Sequence, residues 1–171
     1  DGTVRVFRDN GRDGLSFLAQ QQIKYVPIGD KIELNLGPDP EVVFELVKLR
    51  SRREEIWVQI HGTDTFKRLV DGKMEVDERA SVAGWNERVL YNQRVRNYTA
   101  KPIEVEVRRA CAGHALFRGK LGARNHDYQT VEFTARLEPG QRADLLFELV
   151  TRQGRNARQN NVTIEEAEIE P

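Results

Sequence analysis

Apolar and polar residues alternate with a period of two along most of this chain, in short runs broken by glycine and proline. That pattern puts successive side chains on opposite faces of an extended backbone, so it argues for strands. Val4 and Val6 flank Arg5, and Ile32, Leu34 and Leu36 alternate with Lys31, Glu33 and Asn35. Ile103, Val105 and Val107 alternate with Glu104, Glu106 and Arg108. Val131, Phe133, Ala135 and Leu137 alternate with Thr130, Glu132, Thr134 and Arg136. No stretch sustains a helical period. Turn signals recur roughly every ten residues, at Pro27-Ile28-Gly29-Asp30, Gly37-Pro38-Asp39-Pro40, Thr99-Ala100-Lys101-Pro102 and Glu138-Pro139-Gly140-Gln141. Strand, turn and strand at this spacing predict an all-β chain with an antiparallel immunoglobulin-like β-sandwich.

The 171 residues suit one domain or two small ones. The pattern divides into a β-meander of about four strands over 1–50, an irregular connection over 51–86, and the sandwich over 87–171. The first and last parts can also be read as one continuous domain. In the meander, Leu15 to Ile28 is a long run, and Glu41 to Leu49 is a further strand. Ser51-Arg52-Arg53-Glu54-Glu55 is expected to be a charged turn, followed by a strand at Ile56–Ile60. A short helix at 64–70 and a ragged strand near 74–76 are the readings of the polar segment. Leu145 to Val150 is apolar on both faces and suits a central strand. Val162 to Ile169 suits an acidic last strand that adds to a sheet edge.

Composition excludes several functions. Lys+Arg and Asp+Glu are both 27, so no net field steers the chain toward nucleic acid. The basic residues are 20 Arg and 7 Lys, and Arg favours bidentate ion pairs. A single cysteine allows no intrachain disulfide and no cysteine-based zinc site. No run approaches the length of a membrane-spanning helix, so no membrane insertion is expected. The chain opens at Asp1-Gly2-Thr3-Val4 without an initiator Met and is read as a mature chain or a piece of something longer.

Val4-Arg5-Val6-Phe7 and Gln22-Ile23-Lys24-Tyr25-Val26-Pro27-Ile28-Gly29-Asp30 resemble the start of the C-terminal domain of bacterial mucoidy-inhibitor-like proteins, a family of unknown function. Arg94-Val95-Arg96-Asn97-Tyr98 with Lys101-Pro102-Ile103-Glu104-Val105-Glu106-Val107 resembles its sandwich hairpin. Leu137-Glu138-Pro139-Gly140-Gln141, followed by Leu145-Leu146-Phe147, resembles its closing hairpin. The resemblance implies a bacterial, often exported, multi-domain parent and no enzyme chemistry. The parent is accordingly expected in the periplasm or at the cell surface ahead of the cytoplasm.

The residues that carry chemistry are few. His61, His114 and His126 are too far apart in sequence for a motif-like metal site. Cys111 with His114 lacks an evident third group to complete a nucleophilic site, and suits a small buried hydrophobe better. The pairs Glu54-Glu55, Asp77-Glu78 and Glu165-Glu166 are sequence neighbours, which do not face each other across a cleft. Gly11-Arg12-Asp13-Gly14 and Gly119-Lys120-Leu121-Gly122 precede no helix, so they read as turns rather than phosphate cradles. The Arg152–Arg158 loop has the charge to meet an anion. No catalytic residue, metal site or cofactor is expected. Trp57, His61 and Trp85 are the candidate ligand-binding residues, because aromatics on a sheet face can stack on sugars or anchor a protein. The leading expectation is a non-catalytic structural or protein-interaction module that meets other domains of its parent or a protein partner. The alternatives are a carbohydrate-binding accessory domain and a hydrolase using a histidine–carboxylate site.

Overall fold

The computed structural model describes residues 2–61, 66–68 and 80–170. Among these there is no helix. The chain divides into two compact units, Asp1–Pro40 and Glu41–Pro171. The boundary therefore falls ten residues before the one expected from the sequence.

The first unit is an antiparallel hairpin of β1 (Gly2–Asp9) and β2 (Leu15–Ile23). Its turn closes where Asn10 N donates to Gly14 O at 3.0 Å. Phe7 and Phe17 meet edge-to-face, 5.7 Å apart. The expected strand at Ile32–Leu36 does not form, so the four-strand meander over 1–50 is corrected to one hairpin and the start of a strand at Val42–Ile60. Alternation alone cannot make a strand. Among the described residues no neighbouring strand offers this segment a ladder of backbone partners.

The second unit holds two sheets. Its described strands are β3 (Val42–Ile60), β4 (Phe66–Arg68), β5 (Ala80–Asn97), β6 (Ile103–Ala110), β7 (His114–Arg118), β8 (Arg124–Asn125), β9 (Thr130–Leu137), β10 (Arg142–Gly154) and β11 (Asn161–Glu165). Among them one sheet has six strands in the order β11-β7-β10-β5-β3-β4, and the other has three in the order β6-β9-β8. All pairings are antiparallel except β11 with β7. Among the described residues the sheets keep open edges and do not close into a barrel.

The expected turn at Ser51–Glu55 lies inside β3. Its polar groups are tolerated because several meet complementary groups across the ladder, while Arg52 pairs with Glu54 along the strand at 2.7 Å. Arg88 Nε donates to Glu54 at 3.1 Å, and Ser51 Oγ donates to Glu87 at 3.2 Å. Two irregularities absorb the strain of so long a strand, between Lys48 and Arg50 and around Glu54–Val58. Residues 66–68, expected within a helix, form the short strand β4 against β3 instead. The rest of that helix and the strand near 74–76 lie outside the described residues. The expected last strand is shorter than read, with only Asn161–Glu165 joining β7.

One core joins the two sheets. Phe117 from β7, Phe133 from β9 and Phe147 from β10 form a triad with ring centroids 4.9–6.0 Å apart. Val107, Val131, Cys111, Ala115 and Val162 complete it. Tyr91 of β5 stacks on Phe147 at 5.5 Å. Aromatic pairs add about 0.5–1.5 kcal/mol beyond the area they bury. Phe117→Ala is expected to lower the unfolding free energy by about 3–5 kcal/mol in urea titration. Leu15→Ala, at a side chain 71% exposed in the separate hairpin, should move the second unit's transition by less than about 0.5 kcal/mol. Equal effects of the two would show that the triad is not the centre of the fold.

Candidate functional site

The sequence candidates Trp57, His61 and Trp85 do not converge. Trp57 pairs with Gly84 across β3 and β5, and cross-strand partners share a sheet face. Trp85 is the next residue along β5, so its indole projects from the opposite face. Each half-buried indole is capped by a guanidinium. Arg155 lies 5.8 Å from the Trp57 ring and Arg53 lies 4.5 Å from the Trp85 ring. His61 is exposed at the end of β3, and Asp64 beside it lies outside the described residues.

Trp57 does border a cleft of about 360 Å³, open to solvent, together with Glu55, Asn86, Arg152, Arg155 and Arg158. The backbone beneath is unusually close. A side chain on Gly84 would meet the Arg155 backbone nitrogen at 2.5 Å, and Gly154 has φ of +57°. This approach lets Arg155 N donate to Ala83 O at 2.9 Å and turns the β10–β11 loop over the sheet. Asn156 then locks the loop. Its Nδ2 donates to Glu55 O at 2.9 Å and to Asn86 Oδ1 at 3.0 Å. Asn86 Nδ2 in turn donates to the Glu55 carboxylate at 2.7 Å.

The remaining titratable candidates have structural surroundings. Cys111 is buried, and burial pushes its thiol pKa up against the opposing charge of Arg109. A protonated thiol is a poor nucleophile. His114 has a buried Nδ1 with no hydrogen-bond partner. Burial lowers its pKa, and the charges of Arg152 and Arg158 lower it further. His126 Nδ1 lies 3.0 Å from Glu132, but Arg124 and Arg108 already bind that carboxylate. Among the described residues no three His, Cys, Asp or Glu side chains gather as a metal site. Among the described residues no helix is long and apolar enough to cross a membrane.

Long-range ion pairs were invisible in the sequence. On the outer face of the large sheet, Glu54, Arg88, Glu148, Arg118 and Glu165 alternate in sign across five strands. Arg88 and Arg118 both donate to Glu148, at 2.9 and 3.0 Å. Arg88 reaches Glu54 at 3.1 Å, and Arg118 reaches Glu165 at 3.1 Å. The partners lie 30 to 60 residues apart, so no local spacing betrays them. Each charge sits on a strand whose neighbours are decided only by topology.

A second feature is a step at the edge of the core. The small sheet covers the large one only as far as β5, where the Arg109 side chain donates to Gln93. Phe44 and Leu46 pair with Val95 and Gln93 and therefore share their core-facing side. Yet Phe44 is 50% exposed and Leu46 is 40% exposed, whereas Val95 is fully buried. No described strand pairs the outer edge of β6.

Glu132 supplies a test of the small sheet's electrostatics. Hydrogen bonding from Arg124, and then from Arg108, holds its pKa below the usual carboxylate value despite the opposing effect of desolvation. A depressed folded pKa gives stability that is full above the unfolded value of about 4.3 and drains away as pH falls through the folded one. Wild type is therefore expected to exceed Glu132→Gln in stability at pH 7, with the gap closing below about pH 4. Denaturant midpoints measured across this range check it, and parallel curves would refute it.

Comparison with protein-family models, with curated proteins and with solved structures found no match at all for this chain.

Proposed function

We propose that this chain is a non-catalytic protein-interaction module of a larger bacterial protein, built on an immunoglobulin-like sandwich. It recruits an extended segment of a protein partner to the outer edge of β6. The observation that carries this reading is the uncovered step beside that edge. A strand added to β6 would satisfy the edge's backbone groups and cover Phe44 and Leu46 beneath it. Adding a strand to an open sheet edge obtains affinity from the main chain and specificity from alternate side chains.

Charge states what the partner looks like. The solvent-facing side of β6 carries exposed Glu104, Glu106 and Arg108, and Arg108 pairs with Glu106 at 2.6 Å, so the face is net acidic with Glu104 its outstanding charge. A strand beside them is favoured when its own outer face is basic, because opposite charges across a strand pair are stabilising. The partner segment is thus apolar at alternate positions and rich in Lys or Arg between them. Resemblance to the C-terminal domain of mucoidy-inhibitor-like proteins fits a module working beside other domains. The carbohydrate reading is less supported, since the two indoles lie on opposite faces. The hydrolase reading is less supported too, because Cys111 is held protonated and Glu132 is occupied by arginines.

The probe is a synthetic peptide of about seven residues alternating valine and lysine, compared with a scrambled version of equal composition. Calorimetry is expected to show saturable binding of the patterned peptide only. The pair Phe44→Ser and Leu46→Ser should weaken it at least about tenfold, which is roughly 1.4 kcal/mol. No binding by wild type, or equal binding by the variant, would overturn the proposal. So would a concentration-dependent dimer that the same pair of substitutions dissociates, since the occupant would then be a second copy of this chain.

A further inference from the structure

The cleft beside Trp57 has a charge balance unlike the rest of the outer face. Elsewhere arginines alternate with carboxylates, as at Glu54, Glu148 and Glu165. Here three guanidiniums, from Arg152, Arg155 and Arg158, border one space, and among the described residues the one carboxylate lining it is Glu55. No carboxylate among the described residues pairs with Arg152 or Arg158. Arg152 continues the row on β10, while Arg155 and Arg158 come from the β10–β11 loop. Like charges gathered on a loop would ordinarily splay into solvent. This loop is held instead, by the Gly84–Gly154 approach, by Arg155 N on Ala83 O, and by the Asn156 bonds to Glu55 and Asn86. The guanidinium of Arg155 is further set against the Trp57 ring.

We propose that this cleft binds a phosphate-type dianion, either free or as the phosphate group of a small ester, held by Arg152 and Arg158 with Arg155 on its rim. The guanidinium fork matches the oxygens of a phosphate, and two or more forks can each take a different oxygen. Arg152 and Arg158, which pair with no carboxylate among the described residues, supply two positive charges suited to a doubly charged ligand. The lining is almost wholly polar, so it suits an anion better than an apolar ring. The rigid loop supplies the arrangement before the ligand arrives, which reduces the ordering cost of binding. The cleft lies on the face of Asn86 and Arg88, away from the core-facing step at Phe44 and Leu46. Its test therefore stands or falls apart from that of the partner strand.

The experiment titrates the whole chain with inorganic phosphate, with glucose 6-phosphate and with glucose, at constant ionic strength, followed by calorimetry and by the histidine signals in nuclear magnetic resonance. Both phosphate probes are expected to saturate, and glucose to give no binding. Equal affinity of the two would identify the free anion as sufficient, and tighter binding of the ester would identify the ester. Changing Arg152→Gln and Arg158→Gln together should weaken binding at least about tenfold. Arg158→Glu, at an exposed side chain whose replacement leaves the core intact, should do the same alone. Arg136→Gln, an exposed arginine on β9, should bind as wild type does. Because Arg152 and Arg158 act on His114, saturating phosphate should also raise the titration midpoint of that histidine. The proposal is overturned by absence of saturation in wild type, by wild-type affinity in the arginine variants, by an equal loss in Arg136→Gln, or by a His114 midpoint that phosphate leaves unmoved.

Discussion

The contact among Phe117, Phe133 and Phe147 is the constraint on which the second unit depends. It joins a strand of the small sheet to two strands of the large one. With these rings fixed, β9 must lie over β7 and β10, and β6 must lie over β5. The small sheet has only three strands to set against six. Its cover therefore runs out before β3, and the apolar side of β3 is left partly open. The open step is thus a direct consequence of two unequal sheets sharing one core.

Electrostatics organise the faces turned away from that core. On the outer face of the large sheet arginines and carboxylates alternate across the strands, and Glu148 is only 7% exposed between Arg88 and Arg118. Burying such a carboxylate costs several kcal/mol unless it is paired, so two guanidiniums on it offset what desolvation takes away. Burial tends to lower the pKa of Arg88, yet its bonds to Glu148 and Glu54 outweigh this and raise it. Against that background the cleft at Arg152 and Arg158 stands out, because no carboxylate among the described residues pairs with either. The shape of the surface and its charge thus assign different work to two separate places.

Strands with a clean period of two were legible directly. The alternation of Val131, Phe133 and Leu137 foretold β9, and that of Ile103, Val105 and Val107 foretold β6. The same rule failed at Ile32, Leu34 and Leu36, where the alternation is equally clean and no strand forms. It failed in the opposite sense at Ser51–Glu55, where five polar residues continue β3. In both places the deciding quantity was the presence of a neighbouring backbone. The candidate site was legible only in part. Trp57 and the arginine loop were both noticeable as residues, but their meeting across the Gly84–Gly154 approach was not. Trp85 and His61 looked equivalent to Trp57 and belong elsewhere.

That the chain is all-β, where most turns of the second unit lie, and that its charges balance can be read from the residues alone. These properties follow from local backbone preference and from composition, which need no distant partner. Only the tertiary structure decided which strands are neighbours, which arginine meets which carboxylate, and where the cover over the apolar face ends. Those depend on contacts between residues tens of positions apart. A period of two says which residues share a face, but it carries no information about which strand will lie beside it.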